Sequence, residues 1–255
     1  MIRQVPNIVF TLVMLAILGA CSGDDSTTIN IEAPSNNGGD SSGGGDSSGG
    51  DSGGDSGGET PAECPEGTTE VSDGLCELPA TVDSNLTLTS GVSYLMTDRV
   101  TVGNGNGQLK TNGDGTLDDG SAVQSVTLTI EAGVEVRGKT GTFANLLITR
   151  GSKIMAMGTA DAPIVFSSDD AGYDGSGEWG GLIIHGYAPH NECAVGGSYC
   201  DIDSEGESGF AGGYDPDDSS GVLRYVVVAE GGYEFSTGNE INGISLVGVG
   251  RGTEM

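Results

Sequence analysis

Apolar residues return at a fixed interval through the second half of this chain, and a short repeat of that kind can bury its apolar face only by stacking on itself. Leu128, Leu146, Ile164 and Leu182 are each 18 residues apart, and Ile130, Ile148, Phe166 and Ile184 keep the same step. Gly133 with Gly151 and Val136 with Ile154 match as well, and Val226 and Val228 are answered 18 residues later by Ile244 and Leu246. Within each unit apolar and other residues alternate, as in Val126-Thr127-Leu128-Thr129-Ile130, which is the period of a strand. The chain has 47 glycines and many Thr/Val/Ile runs, which argue against long helices. Propeller blades need roughly 40 or more residues per unit, and a sandwich has no reason to keep a constant interval. The expected fold is therefore all-β: a right-handed parallel β-helix with rungs of about 18 residues, each column forming an inward-facing stack.

From Ile184 to Val226 the step is longer by about 24 residues, which places an insertion on one turn over residues 187–220. It carries Cys193, Cys200 and the acidic runs Asp201-Ile202-Asp203-Ser204-Glu205 and Asp215-Pro216-Asp217-Asp218. Insertions in solenoids fall on loops, commonly on the face that binds something. Calcium is the candidate cation for Asp201, Asp203, Asp215 and Asp217, which would repel one another in a compact loop. A second candidate is Asn112-Gly113-Asp114-Gly115-Thr116-Leu117-Asp118-Asp119, where Asn112, Asp114 and Asp118 put oxygens around glycines. That run lacks the bidentate Glu of a full EF-hand loop, and a solvated hairpin turn is the plainer reading. Trp179, the only tryptophan, and Tyr187 are the candidate ligand-binding aromatics at the edge of the insertion; for Trp179, packing against the coil competes with stacking on a sugar.

The first 63 residues cannot belong to this core. An apolar run from Ile8 to Leu18 follows Arg3 and ends in Leu18-Gly19-Ala20-Cys21, a secretory signal too short to span a bilayer. The four residues resemble the bacterial lipobox, in which the cysteine thiol accepts a diacylglycerol, so 1–20 reads as a lipoprotein signal peptide and Cys21 as the lipidation site. Residues 21–63 are nearly all Gly, Ser, Asp and Asn, too poor in apolar surface to order, and form a tether. Taking about 5–6 Å × √n for such chains, it spans about 35–40 Å. The formal charge is −28, and Arg3 is the only basic residue before Arg99, which excludes a basic groove for nucleic acid. In an exported chain the remaining cysteines fall into two local pairs, Cys64 with Cys76 in a small segment over 64–90 and Cys193 with Cys200 in the insertion. Zinc is the competitor, disfavoured because neither pair is Cys-x-x-Cys and His185 and His190 are the only histidines.

Leu128-Thr129-Ile130-Glu131-Ala132-Gly133-Val134, Gly158-Thr159-Ala160-Asp161-Ala162-Pro163-Ile164-Val165-Phe166, Trp179-Gly180-Gly181-Leu182-Ile183-Ile184 and Gly231-Gly232-Tyr233-Glu234-Phe235 together resemble a family of bacterial outer-membrane lipoproteins that includes a leptospiral surface lipoprotein and proteins of marine proteobacteria and Bacteroidetes. The resemblance covers about residues 95–252. It implies a β-helix domain over 91–255 held on a lipid anchor, without an enzymatic role to transfer. Members continue into further rungs, so on this resemblance the chain is a C-terminally truncated member. Ser22 after the cysteine is similar to outer-membrane sorting signals, and Asp24-Asp25 to the acidic export signals of surface lipoproteins.

The expected function is thus an outer-membrane lipoprotein, on the cell surface or facing the periplasm, displaying a β-helix for adhesion or capture of a glycan or protein ligand. Two alternatives remain. One is a calcium-dependent carbohydrate-active enzyme like the polysaccharide lyases of β-helix fold, which set clustered acids for calcium against a basic residue that abstracts a proton. Arg137, Lys139, Arg150 and Lys153 would form its basic strip, and an acid cluster along the same groove is the discriminating feature. The other is a structural surface-layer component. No nucleophile–base motif or phosphate loop stands out.

Overall fold

The computed structural model describes residues 62–255 except 111–114, 174, 195, 196, 198 and 199, together with the backbone but not the side chains of Phe235 and Asn239. Cys21, Asn112 and Asp114 lie outside the described residues. Among those described, every regular element but the short turns is a strand, and the chain climbs through five coils of a parallel β-helix. The first holds β1 (Thr69–Ser72), β2 (Leu75–Glu77), β3 (Thr81–Val82) and β4 (Leu86–Leu88); the second β5 (Ser93–Met96), β6 (Val100–Val102) and β7 (Thr127–Ile130). The third holds β8 (Glu135–Gly138), β9 (Asn145–Ile148) and β10 (Lys153–Met157). The fourth has β11 (Ile164–Ser168), β12 (Gly181–His185), a hairpin of β13 (Ile202–Ser204) and β14 (Gly209–Ala211), and β15 (Gly221–Arg224). The last has β16 (Val226–Val228), a small hairpin of β17 (Glu234–Ser236) and β18 (Asn239–Glu240), and β19 (Ile244–Val247).

Three sheets wall the coil. Sheet A runs β1-β2-β5-β8-β11-β16, sheet B β19-β12-β9-β6-β3 and sheet C β15-β10-β7-β4. Pairing is parallel throughout except in the hairpins β1–β2, β13–β14 and β17–β18. Alternation along each strand sends every second side chain inward, and coil-to-coil register turns these into stacks. Cys76, Tyr94, Val136 and Phe166 stack on sheet A, Val102, Ile148 and Ile184 on sheet B, and Leu88, Ile130 and Ala156 on sheet C. All are at most 1 % exposed.

The fold class agrees with the sequence, but the 18-residue columns do not survive. Leu128 lies on sheet C, Leu146 and Leu182 on sheet B, and Ile164 on sheet A. Leu128 stacks on Ile154, Leu146 on Leu182 and Ile164 on Val226. The interval covers two sides of the three-sided coil from Leu128 to Leu146 and from Leu146 to Ile164, but one side with a long loop from Ile164 to Leu182, and because each side repeats the same in–out alternation, an apolar residue meets an apolar one without stacking on it. A coil advancing by 18 residues occurs only at the start, where Leu75 pairs with Ser93. Gly133 and Gly151, which also share the interval, both take positive φ at corners, 81° and 80°.

Three excursions interrupt the coil, one between β6 and β7, one between β12 and β15, and a shorter one between β16 and β19 that carries the β17–β18 hairpin and Ile241. The second is not a free loop. Outward-facing Leu147 and Ile183 of sheet B are buried with Ile241 in a satellite cluster. Sheet B is thus covered on both faces over β9 and β12, and these strands lack the polar alternation of a half-exposed strand. Two arginines bind the covering. Arg150, fully buried, gives Nε to Gly105 O (2.8 Å), Nη2 to Gly107 O (2.6 Å), and Nη1 to Gly212 O (3.1 Å) and Asp201 Oδ1 (2.7 Å). Arg99 donates to the carbonyls of Gly206 and Glu207 and to Asn145 Oδ1, and burial lowers its pKa despite the acids nearby. The disulfides Cys64–Cys76 and Cys193–Cys200 are formed.

Candidate functional site

Outward positions of sheet A stay open to solvent, and there the molecule has an extended polar cleft. Glu135 and Arg137 project from β8 and Ser167 from β11, and the chain leaving β11 raises a wall of Asp169, Asp170, Ala171, Gly172 and Tyr173 beside them. The cleft measures about 430 Å³. Arg137 pairs with Glu135, and Lys139 Nζ reaches Asp169 at 2.7 Å. Asp169 also accepts from Thr140 N at 2.7 Å; partial burial pushes its pKa up, but the Lys139 and Thr140 hydrogen bonds outweigh this and leave it below the ordinary carboxylate value. Tyr173 is 63 % exposed at the rim.

Behind that wall, at the ends of β11 and β16, acids converge. Asp170, Glu178 and Glu230 each place a carboxylate oxygen within 4.8 Å of the other two, and among the described residues this is the metal-capable group of three that the fold assembles. Backbone pairing sets the approach: Glu178 N donates to Glu230 O at 2.8 Å, and Trp179 forms a parallel bridge with Gly231. Ser168, inward on β11, gives its amide to Glu230 Oε2 at 3.1 Å and lies with its hydroxyl 2.9 Å from that oxygen and 2.7 Å from Asp170 Oδ1. A Cβ on Gly175 would meet Glu178 Oε1 and make that carboxylate turn aside.

The residues expected at a site from sequence are spread over other tasks. Trp179 is fully buried, gives Nε1 to Ala229 O at 2.7 Å and occupies the space a Cβ on Gly138 would need, so it packs the coil and presents no stacking face. Tyr187 is half-buried with the Arg150 guanidinium 5.8 Å from its ring centre; burial first, and nearby acids, raise its pKa. Asp201 has both oxygens engaged, by Arg150 and by Leu109 N at 3.0 Å. Asp217 pairs with Arg251, and Asp215 accepts from Asp217 N at 3.0 Å. Asp203 is exposed on β13 and lines a smaller cavity of about 230 Å³ with His190, Glu192 and Glu205. Asp118 is exposed near the tip of the first excursion. Mutual repulsion in the insertion is thus relieved by arginines and backbone amides. Of the basic strip, Arg137 alone lines the cleft, with Lys139 paired to its wall, while Arg150 is interior and Lys153 lies on sheet C.

Asp170, Glu178 and Glu230 are not among the candidate acids that the sequence singles out. The missed signal is spacing on the true coil: Phe166 pairs with Val228, so the residues two positions on, Ser168 and Glu230, come side by side.

Three stacked parallel sheets enclosing a continuous apolar core define a β-helix protein with its open polar surface on one sheet. Residues 95–255 match the family model described as a pectate-lyase-like β-helix domain, and the chain belongs to that family. No curated protein and no solved structure matches it. No helix among the described residues is long and apolar enough to cross a membrane.

Proposed function

We propose that this protein is an outer-membrane lipoprotein, anchored through Cys21, that binds a glycan on the outer face of sheet A without turning it over. The observation that carries the binding part is the polar cleft under Tyr173. Its paired donors and acceptors, Arg137 with Glu135 and Lys139 with Asp169, suit a ligand bearing many hydroxyls, and an exposed tyrosine at the rim offers a sugar ring an apolar face. Successive coils repeat the outward positions at about 4.8 Å, which suits an extended polymer. The anchoring part rests on the lipobox resemblance and on the acidic Gly/Ser tether.

Two measurements test it. Tyr173→Ala should weaken retention of the protein in polysaccharide affinity gels by about tenfold, the equivalent of about 1.4 kcal/mol, without shifting its melting temperature. Unchanged retention of the variant on every polysaccharide that retains the wild type would remove the cleft from consideration. Cys21→Ser should move the protein to soluble fractions and abolish palmitate labelling; membrane retention in high salt would overturn the anchor.

A specific observation also favours the enzymatic reading. Arg137 and Asp170 line one open cleft, and Asp170 belongs to the acid cluster behind it. Turnover would appear as unsaturated oligosaccharides released from uronic acid polymers, lost in Arg137→Ala. Binding without such products supports the non-catalytic reading.

A further inference from the structure

We propose that Asp170, Glu178 and Glu230 hold one divalent cation of calcium size, which ties the loop between β11 and β12 to the turn after β16. The cation site depends neither on the lipid anchor nor on a ligand in the cleft.

The distances fit. Two oxygens bound to one calcium at about 2.3–2.6 Å are at most about 5.2 Å apart, and the three carboxylates here lie within 4.8 Å of one another. Magnesium demands near-ideal octahedral geometry and gives up its water reluctantly, which suits a partly sealed set poorly.

Burial supplies an independent sign. Glu230 is 8 % exposed, and while its Oε2 is occupied by Ser168, its Oε1 is sealed from solvent with no hydrogen-bond donor among the described residues. A buried carboxylate oxygen without a partner is costly, and a cation is the partner that such an oxygen facing two further carboxylates calls for. Neither Asp170 nor Glu230 has an ion-pair partner among the described residues. The Ser168 hydroxyl has one proton to offer two carboxylate oxygens, Asp170 Oδ1 and Glu230 Oε2, so it cannot satisfy both at once. Asp170 is exposed, which leaves a side open for water to complete six to eight ligands.

The ion would reinforce the backbone bonds that join these segments at Glu178–Glu230 and Trp179–Gly231, and would add Asp170 to the junction. Asp170 and Glu178 flank the wall of the cleft, Glu230 follows β16, and the single tryptophan stands next to both ends of the bridge, at position 179 and against Ala229 O. Occupancy would hold the wall bearing Tyr173 in place.

The test uses the full chain, stripped with a calcium chelator and titrated with calcium chloride, and then with terbium as a luminescent surrogate excited where only tryptophan absorbs. At about a hundredfold over its dissociation constant, calcium should raise the melting temperature by about 5–10 °C. Terbium emission should be sensitised through Trp179 and quenched by calcium competition. Both responses should vanish in Glu230→Gln and in the exposed-site variant Asp170→Asn, and persist in Asp203→Asn. In chelator, Glu230→Gln should melt no lower than the wild type, because it removes a buried charge left unneutralised. The proposal is overturned by a wild type that does not respond to calcium, by a response that survives Glu230→Gln or Asp170→Asn, or by one lost in Asp203→Asn.

Discussion

Replacing Arg150 by methionine isolates what holds the first two excursions to the coil. The side chain is fully buried and its three nitrogens serve four acceptors, the carbonyls of Gly105, Gly107 and Gly212 and the Asp201 carboxylate, itself only 6 % exposed. Methionine keeps much of the volume and none of the donors. Breaking a buried ion pair from one side costs about 3–5 kcal/mol, because the other charge stays behind undissolved, and each orphaned carbonyl adds about 1 kcal/mol or more unless water enters. A loss of about 6–8 kcal/mol follows with all three carbonyls left dry, comparable with a whole domain stability of about 5–15 kcal/mol. Urea unfolding followed by circular dichroism measures it. Lysine should rescue little, since one ammonium cannot span acceptors arranged around a planar fork. Adding Asp201→Leu to the methionine variant should recover about 2 kcal/mol or more, because the stranded carboxylate is gone. A methionine variant within about 1 kcal/mol of the wild type, with its insertion still resistant to protease, would refute the assignment of Arg150 as the clamp.

Three further outcomes are expected. Leu128→Asp should cost several kcal/mol while its outward neighbour Thr129→Asp costs under about 1 kcal/mol, measured by thermal unfolding; equal costs would contradict the register Leu86–Leu128–Ile154. His185 is buried, and burial first, then the Arg150 charge, push its pKa down to about 3. The unfolded chain therefore takes up this proton first: the stability is whole above about pH 6.5 and falls below it by up to about 1.4 kcal/mol per unit until near pH 3, so His185→Phe should show a shallower acid limb in urea midpoints. Cys64→Ala/Cys76→Ala should lose about 3 kcal/mol in chemical unfolding, the chain-entropy value for a link across 12 residues, and reduction of the wild type, which also opens Cys193–Cys200, should lose at least as much.

Thr149 shows how far local pattern carries. By alternation it lies opposite inward Ile148 and reads as solvent-facing, yet it is fully buried, donating to Val102 O at 2.7 Å and accepting from Gly105 N at 3.0 Å. The residue itself announces nothing of this. What covers it is the excursion between β6 and β7, 44 positions away in its contact with Gly105, and no local window contains both partners.

The division between sequence and structure follows from which interactions are local. Alternation, glycine at corners, the absence of helical periodicity and closely spaced cysteines act within a few residues, so the all-β solenoid and both disulfides were legible in the chain alone. Which strand stacks on which was not, because turns of unequal length separate sides of identical pattern, and only closure of three sheets around one core selects Leu146 over Leu182 and Leu128 over Ile154. The acid cluster was hidden for the same reason. Asp170, Glu178 and Glu230 meet because Phe166 and Val228 pair across successive rungs, and that pairing is decided by core packing rather than by anything the acids themselves contribute.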